Sequence, residues 1–166
     1  MGENIREIAK EKAGIMKKGR PVVISEYQPL IHDIFKVRSK ELSSTLYLAK
    51  DSVLKNYSSD LKGPFQKNNI LGVVKSISVL KGFEISDKNI EKGLLNVVKN
   101  TGLKGRWEII NESPKTILDV GHNINAFTIN IKEINKITFN NLRVVIGFVE
   151  GKDFKKILKL FPKVAF

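Results

Sequence analysis

Gly105-Arg106-Trp107, followed a dozen residues on by Asp119-Val120-Gly121-His122-Asn123, is the stretch around which this 166-residue chain is organised. The run Lys115-Thr116-Ile117-Leu118 has the pattern of a strand, and Ile124 to Ile137 follows with helical periodicity, so Asp119 and His122 are delivered into the turn between them. Strand, polar turn, helix is how an α/β sheet presents ligand-binding groups at the carboxyl ends of its strands. Asp119 is suited to accept hydrogen bonds from ribose hydroxyls, His122 to donate to a phosphate oxygen, and Arg106 to offer phosphate a planar fork. Together they read as half of a nucleotide site. The same residue types are also ordinary in turns and caps, and Asn123 or Asn125 equally serves to cap the following helix.

Upstream of this stretch the spacing predicts the end of one α/β domain. Ile5, Ile8, Ala9, Lys12 and Ile15 recur at helical intervals, which gives a helix from Met1 to about Ala13 ended by Gly14. Lys12 then lies on the apolar stripe, within roughly 20° of Ile5 at 100° per residue. A lysine there is paired, snorkelling or chemically altered, and its charge also suits a helix C-terminus. Arg20 to Ser25 reads as a short buried strand, Tyr27-Gln28-Pro29 opens a helix through about Leu42, and Thr45 to Ala49 is a second strand. Lys50 to Lys62 is polar and irregular with room for a hairpin. Phe65 to about Lys81 is helical and stopped by Gly82, and Ser86 with Asp87 starts a helix through Val98.

Thr101 to Gly105 is a glycine-punctuated hinge. It divides residues 1–104 from residues 105–166. The second part predicts strands at 107–110, 115–120 and 142–148, helices after the second and third of these, and a further strand opening at Lys163-Val164-Ala165-Phe166. A chain that stops in a buried strand leaves a ladder unpaired, so a piece of a larger protein is expected. Gly147 to Asp153 sits where a phosphate-binding glycine loop would sit. It has three residues between its glycines where four are needed, and aspartate where serine or threonine is needed, so it reads as a plain strand-to-helix turn.

Composition narrows the functional classes. The chain has no cysteine, which excludes disulfides and thiolate metal sites and suits a reducing cytoplasm. No apolar run reaches the roughly 20 residues of a membrane span, and no charged-then-apolar leader opens the sequence, so a soluble protein without a membrane partner is expected. The net charge of +12 raises the question of nucleic acid. The lysines are scattered singly rather than massed on one helix, however, and no nucleic-acid partner is expected.

Three stretches in fixed order carry a resemblance that none carries alone. They are Met1-Gly2-Glu3-Asn4 with Ile8-Ala9-Lys10-Glu11-Lys12-Ala13-Gly14-Ile15, then Pro64-Phe65-Gln66-Lys67-Asn68-Asn69, then Gly105-Arg106-Trp107 with Asp119-Val120-Gly121-His122-Asn123. Over nearly the whole chain this set resembles the folylpolyglutamate synthase and dihydrofolate synthase family of the Mur ligase group. The resemblance implies an α/β chain made of the end of a Mur-ligase-type central ATPase domain, residues 1–104, and the start of a Rossmann-like C-terminal domain, residues 105–166. It implies ATP and Mg2+ as cofactors, folate or dihydropteroate and L-glutamate as substrates, and amide synthesis through an acyl phosphate. By matching positions, Asn69, Arg106, Asp119 and His122 would contact ATP, and Lys12 would carry a carbamate that serves Mg2+. The family's phosphate loop, first magnesium-binding acid and metal-binding histidine lie upstream of the position matching Met1. The resemblance therefore implies a cytoplasmic enzyme whose missing N-terminal part is this chain's partner, with little activity in this chain alone. A non-catalytic nucleotide- or folate-binding module is the competing reading.

Overall fold

A computed structural model of the chain describes residues 4–51, 55–148 and 154–162. The fold divides into two units, Met1–Leu61 with Phe65–Gly102, and Lys62–Pro64 with Leu103–Phe166.

In the first unit, Asn4 caps α1 (Ile5–Ala13) by accepting from the Arg6 and Glu7 N–H groups. The helix ends at Gly14, as expected, with that glycine in a right-handed conformation at φ −61°. The face of α1 that is buried carries Ala9 and Ala13, with Met16 just beyond. Two small residues four apart let α1 approach α2 (Pro29–Glu41) closely. The stripe expected to bury Lys12 is corrected accordingly: Lys12 is exposed, and Ile5 and Ile15 beside it are 46% and 76% exposed. At 100° per residue Lys12 points roughly 80° from the direction shared by Ala9 and Ala13.

β1 (Val22–Ile24) and β2 (Leu46–Leu48) pair in parallel, Val22 opposite Leu46 and Ile24 opposite Leu48, with α2 as the crossover. Pro29 stands at the first helical position of α2, where its missing N–H costs nothing. A 3-10 turn, Ala49–Asp51, follows β2, and α3 (Gln66–Ser78) packs on β1 and on that turn. Gly72 makes this approach possible, since a Cβ there would collide with the Ser25 hydroxyl. The single helix expected from Ser86 to Val98 is instead two, α4 (Asp87–Leu94) and α5 (Val97–Thr101). The Asp60 carboxylate accepts from the Val98 N–H at 2.9 Å and so satisfies an orphan donor of α5 from outside the helix. Gly102, at φ +66°, closes α5 in the left-handed conformation.

In the second unit, β3 (Glu108–Glu112) and β4 (Lys115–Leu118) form an antiparallel hairpin, Glu108 opposite Leu118 and Glu112 opposite Lys115, with an irregularity between Ile109 and Asn111. Next come α6 (Ile124–Ile134) and α7 (Phe154–Leu158), which pack together through buried Ile131 and Ile157. Phe127 anchors this core, its ring 6.0 Å from both Phe148 and Phe161. Among the described residues the strand expected over 142–148 is reduced to a bridge at Leu142 and forms no ladder. The segment keeps the alternating exposure of an extended chain, yet Val145 is fully exposed. β-branched composition favours extension, but only a hydrogen-bonded neighbour makes a strand. The turn read at Gly147 to Asp153 lies largely outside the described residues, and the strand read at Lys163 to Phe166 lies wholly outside them. No helix among the described residues is long and apolar enough to cross a membrane.

Candidate functional site

The two motifs that organise the sequence are locked to one another within the second unit. Gly105 is buried at φ +69°, and its carbonyl accepts from the Val120 N–H at 2.9 Å. A Cβ on Gly105 would stand 2.5 Å from the Val120 Cγ1, so glycine is required both by the left-handed backbone and by the approach. The Gly105 N–H donates to Glu108 Oε2 at 2.8 Å, which ties the segment to the start of β3. Trp107 also takes a left-handed φ of +55°, uncommon for a bulky residue. That conformation turns its N–H to donate to Asp119 Oδ2 at 2.9 Å.

Asp119 is the focus of these contacts. It follows the last residue of β4, half-buried, and among the described residues takes three hydrogen bonds: Trp107 N–H on Oδ2, and on Oδ1 the Gly121 N–H at 2.8 Å and the Asn130 amide at 2.8 Å. A carboxylate has about four acceptor positions. The anchors therefore fix the rotamer and leave capacity on Oδ2, which carries one of the three bonds. Gly121 has no room for a side chain, because its Cβ would meet Asp119 Oδ1 at 2.9 Å and Ala126 Cβ at 3.1 Å. Asn123 accepts from the Ala126 N–H at 2.9 Å and caps α6, so the cap reading of that residue holds. His122, between turn and cap, is exposed, with Nδ1 3.4 Å from the Val120 carbonyl. Arg106, directly before Trp107, is exposed.

Of the five residues expected from the sequence, the second unit holds Arg106, Asp119 and His122 on this locked segment. Asn69 and Lys12 belong to the first unit. Asn69 lies in the first turn of α3, exposed, its amide donating at 3.0 Å to Gln66, which is 7% exposed. Lys12 lies in the last turn of α1. Neither the cavity of about 300 Å3 beside His32, Tyr47 and Lys75 nor the cleft of about 480 Å3 between α1 and α2 is lined by any of the five. Among the described residues there is no group of three His, Asp or Glu that would hold a metal ion, so no metal step is derived from these residues.

Two participants escaped the sequence reading. Trp107 acts through its backbone, for which side-chain chemistry gives no signal. Asn130 did leave one, since it stands three residues after Phe127 and one before buried Ile131, a polar residue in the apolar stripe of α6.

No family model matches the chain. It is 29% identical to the folylpolyglutamate synthase of Candida albicans over 146 residues, covering 76% of this chain and 28% of that protein. It is 24% identical to the dihydrofolate synthase/folylpolyglutamate synthase of Bacillus subtilis, covering 99% of this chain and 44% of that protein. The chain thus spans less than half the length of these curated relatives. Its fold is shared with part of the Thermotoga maritima folylpolyglutamate synthase, at a TM-score of 0.76 and 24% identity over 99% of this chain and 44% of that one. It is likewise shared with part of the Escherichia coli protein whose structure holds DHPP and ADP, at a TM-score of 0.78 and 23% identity over 99% of this chain and 42% of that one. A bifunctional folylpolyglutamate/dihydrofolate synthase with Mn, AMPPNP and L-glutamate bound gives a TM-score of 0.77 and 24% identity over 96% of this chain and 41% of that one.

Proposed function

We propose that this chain, homologous over nearly all its length to folylpolyglutamate and dihydrofolate synthases, is an internal part of an ATP-dependent ligase that joins L-glutamate to folates and in the bifunctional case to dihydropteroate. In this reading residues 1–104 are the later part of the central ATPase domain and residues 105–166 the first part of the C-terminal domain. The carrying observation is the Asp119 carboxylate, held by Trp107, Gly121 and Asn130 with acceptor capacity to spare. A carboxylate so fixed accepts ribose hydroxyls without reorganising. Arg106, one residue before Trp107, and His122, three residues after Asp119, are both exposed and supply donors for phosphate oxygens. Asn69, within the first unit, is assigned separately as a residue that contacts ATP. ATP supplies the phosphoryl group that activates the substrate carboxylate for attack by an amine. Lys12 has the exposure to meet a ligand, and its role is that of the carbamate-bearing lysine. The cytoplasm is the site of action, which a chain without cysteine suits.

The test is nucleotide binding and turnover in the full-length polypeptide that carries this chain. Each charged hydrogen bond is worth about 1.5–3 kcal/mol, so Arg106→Ala and Asp119→Ala should each weaken ATP use about ten- to a hundredfold. Asp119→Ala should also lose preference against a nucleotide without ribose hydroxyls. Unchanged ATP kinetics in folded variants with lowered Tm make both residues braces of the motif and overturn the assignment. Nucleotide binding without folate-dependent ADP release in the full-length protein identifies a binding module in place of a ligase.

A further inference from the structure

We infer that Asn130 is a positioning residue for Asp119, setting the carboxylate for the ribose hydroxyls of the nucleotide; this rests on the role proposed above for Asp119. Asn130 is 8% exposed on α6, and its Nδ2 donates to Asp119 Oδ1 at 2.8 Å. Its own Oδ1 is buried and has no hydrogen-bond partner among the described residues. Turning the amide over gives no relief, because it would set a carbonyl oxygen against the carboxylate oxygen. The orphaned acceptor is therefore the consequence of the bond to Asp119.

A buried acceptor without a donor costs free energy, and an apolar residue of similar shape would avoid that cost. The neighbours invite one, since Phe127, Ile131 and Ile134 make this the apolar side of α6. Stability alone thus favours leucine at position 130, and what asparagine adds is one fixed donor on Asp119. Local rules broken at a cost in stability mark functional positions. The geometry agrees: Trp107 and Gly121 hold the carboxylate from the chain segments that flank it, whereas Asn130 is the anchor given by a helix. That third point stops rotation of the carboxylate about the other two and keeps Oδ2 aimed.

The experiment compares wild type, Asn130→Leu, Asn130→Asp and Asp119→Ala in the full-length polypeptide. The probes are ADP and 2′,3′-dideoxy-ADP, read as the Kd of the dideoxy nucleotide divided by that of ADP, alongside Tm. Asn130→Leu should lower the ratio about three- to tenfold, since two anchors remain, while Tm stays level or rises. Asn130→Asp keeps the shape and covers the case in which the leucine variant fails to fold. At neutral pH its carboxylate repels Asp119 and lowers the ratio; at acid pH the protonated acid donates in place of the amide and restores the ratio toward wild type. A fallen Tm with the ratio unchanged makes Asn130 merely structural and overturns the inference. If Asp119→Ala destroys the preference while both Asn130 variants keep it, only the inference on Asn130 fails. If Asp119→Ala leaves the preference intact, the ribose role of Asp119 fails, and the inference with it.

Discussion

Replacing Gly105 with alanine should be among the most damaging single changes in the second unit, and its cost separates into two parts. The first is backbone. At φ +69° an alanine bears a penalty of about 1 kcal/mol relative to glycine. The second is steric, because the new Cβ would stand 2.5 Å from Val120 Cγ1, so the valine side chain must turn or one of the two segments must shift by almost an ångström to reach ordinary contact. Such overpacking costs about 1–3 kcal/mol. A shift of the backbone would also pull on the Val120 N–H to Gly105 carbonyl bond and, two residues on from Gly105, on the donation from Trp107 to Asp119. The total is about 2–4 kcal/mol, a shift of about 1–2 M in a urea midpoint for a unit of this size. Trp107 is the sole tryptophan, so its fluorescence reports on this segment directly. Gly82→Ala is the control. It shares a left-handed φ, +81°, but a Cβ there meets nothing within 4 Å, so about 1 kcal/mol should be lost. Val120→Ala should relieve the steric part in a double-mutant cycle, at little cost of its own because Val120 is 49% exposed. If Gly105→Ala costs no more than Gly82→Ala, or if Val120→Ala gives no relief, the close approach of the two motifs is wrong.

Gly72→Ala should destabilise the first unit by about 1–3 kcal/mol, since its Cβ meets the Ser25 hydroxyl, and Ser25→Gly should recover most of that in thermal melts. The Asp33 carboxyl lies below the ordinary carboxylate range, first because Arg6 hydrogen-bonds it through both terminal nitrogens, at 3.1 and 2.6 Å, and then through the charge of that guanidinium. A lowered carboxyl stabilises the fold above its unfolded-state value and loses that contribution as pH falls through the folded one. The Tm difference between wild type and Asp33→Asn should therefore be widest near neutral pH, close toward strong acid and shrink in salt, the pair being exposed; a gap independent of pH refutes it. Lys12→Ala in the full-length polypeptide should abolish turnover with little change in Tm, because the side chain is exposed, and a small carboxylic acid should restore part of the rate. Full activity of that variant leaves Lys12 as a surface lysine.

Local chemistry was legible in the sequence wherever a residue's immediate neighbours decide its state. Ser86 and Asn123 cap α4 and α6, Pro29 opens α2, and the segment Lys115–Leu118 runs as a strand into a turn carrying Asp119, because caps, turns and alternation act over a few residues. The resemblance carried by the spaced motifs was equally a property of the linear chain. What periodicity leaves open is which side of an amphipathic helix finds a partner. Lys12 shares the stripe of Ile5 and Ile8, yet in the helix that packs against α2 the buried residues are Ala9 and Ala13, and Lys12 stays in solvent. A strand likewise requires a paired neighbour, of which 142–148 shows only a bridge at Leu142 among the described residues, and where the chain breaks between α4 and α5 a distant acceptor, Asp60, takes the Val98 N–H. The candidate site shows the same division: Arg106, Asp119 and His122 were visible as chemistry, but the left-handed Trp107, the contact of Gly105 with Val120 and the amide of Asn130 arise only when segments far apart in sequence are brought into contact. Backbone donors and close approaches have no side-chain signature, so only the tertiary structure decides where they fall.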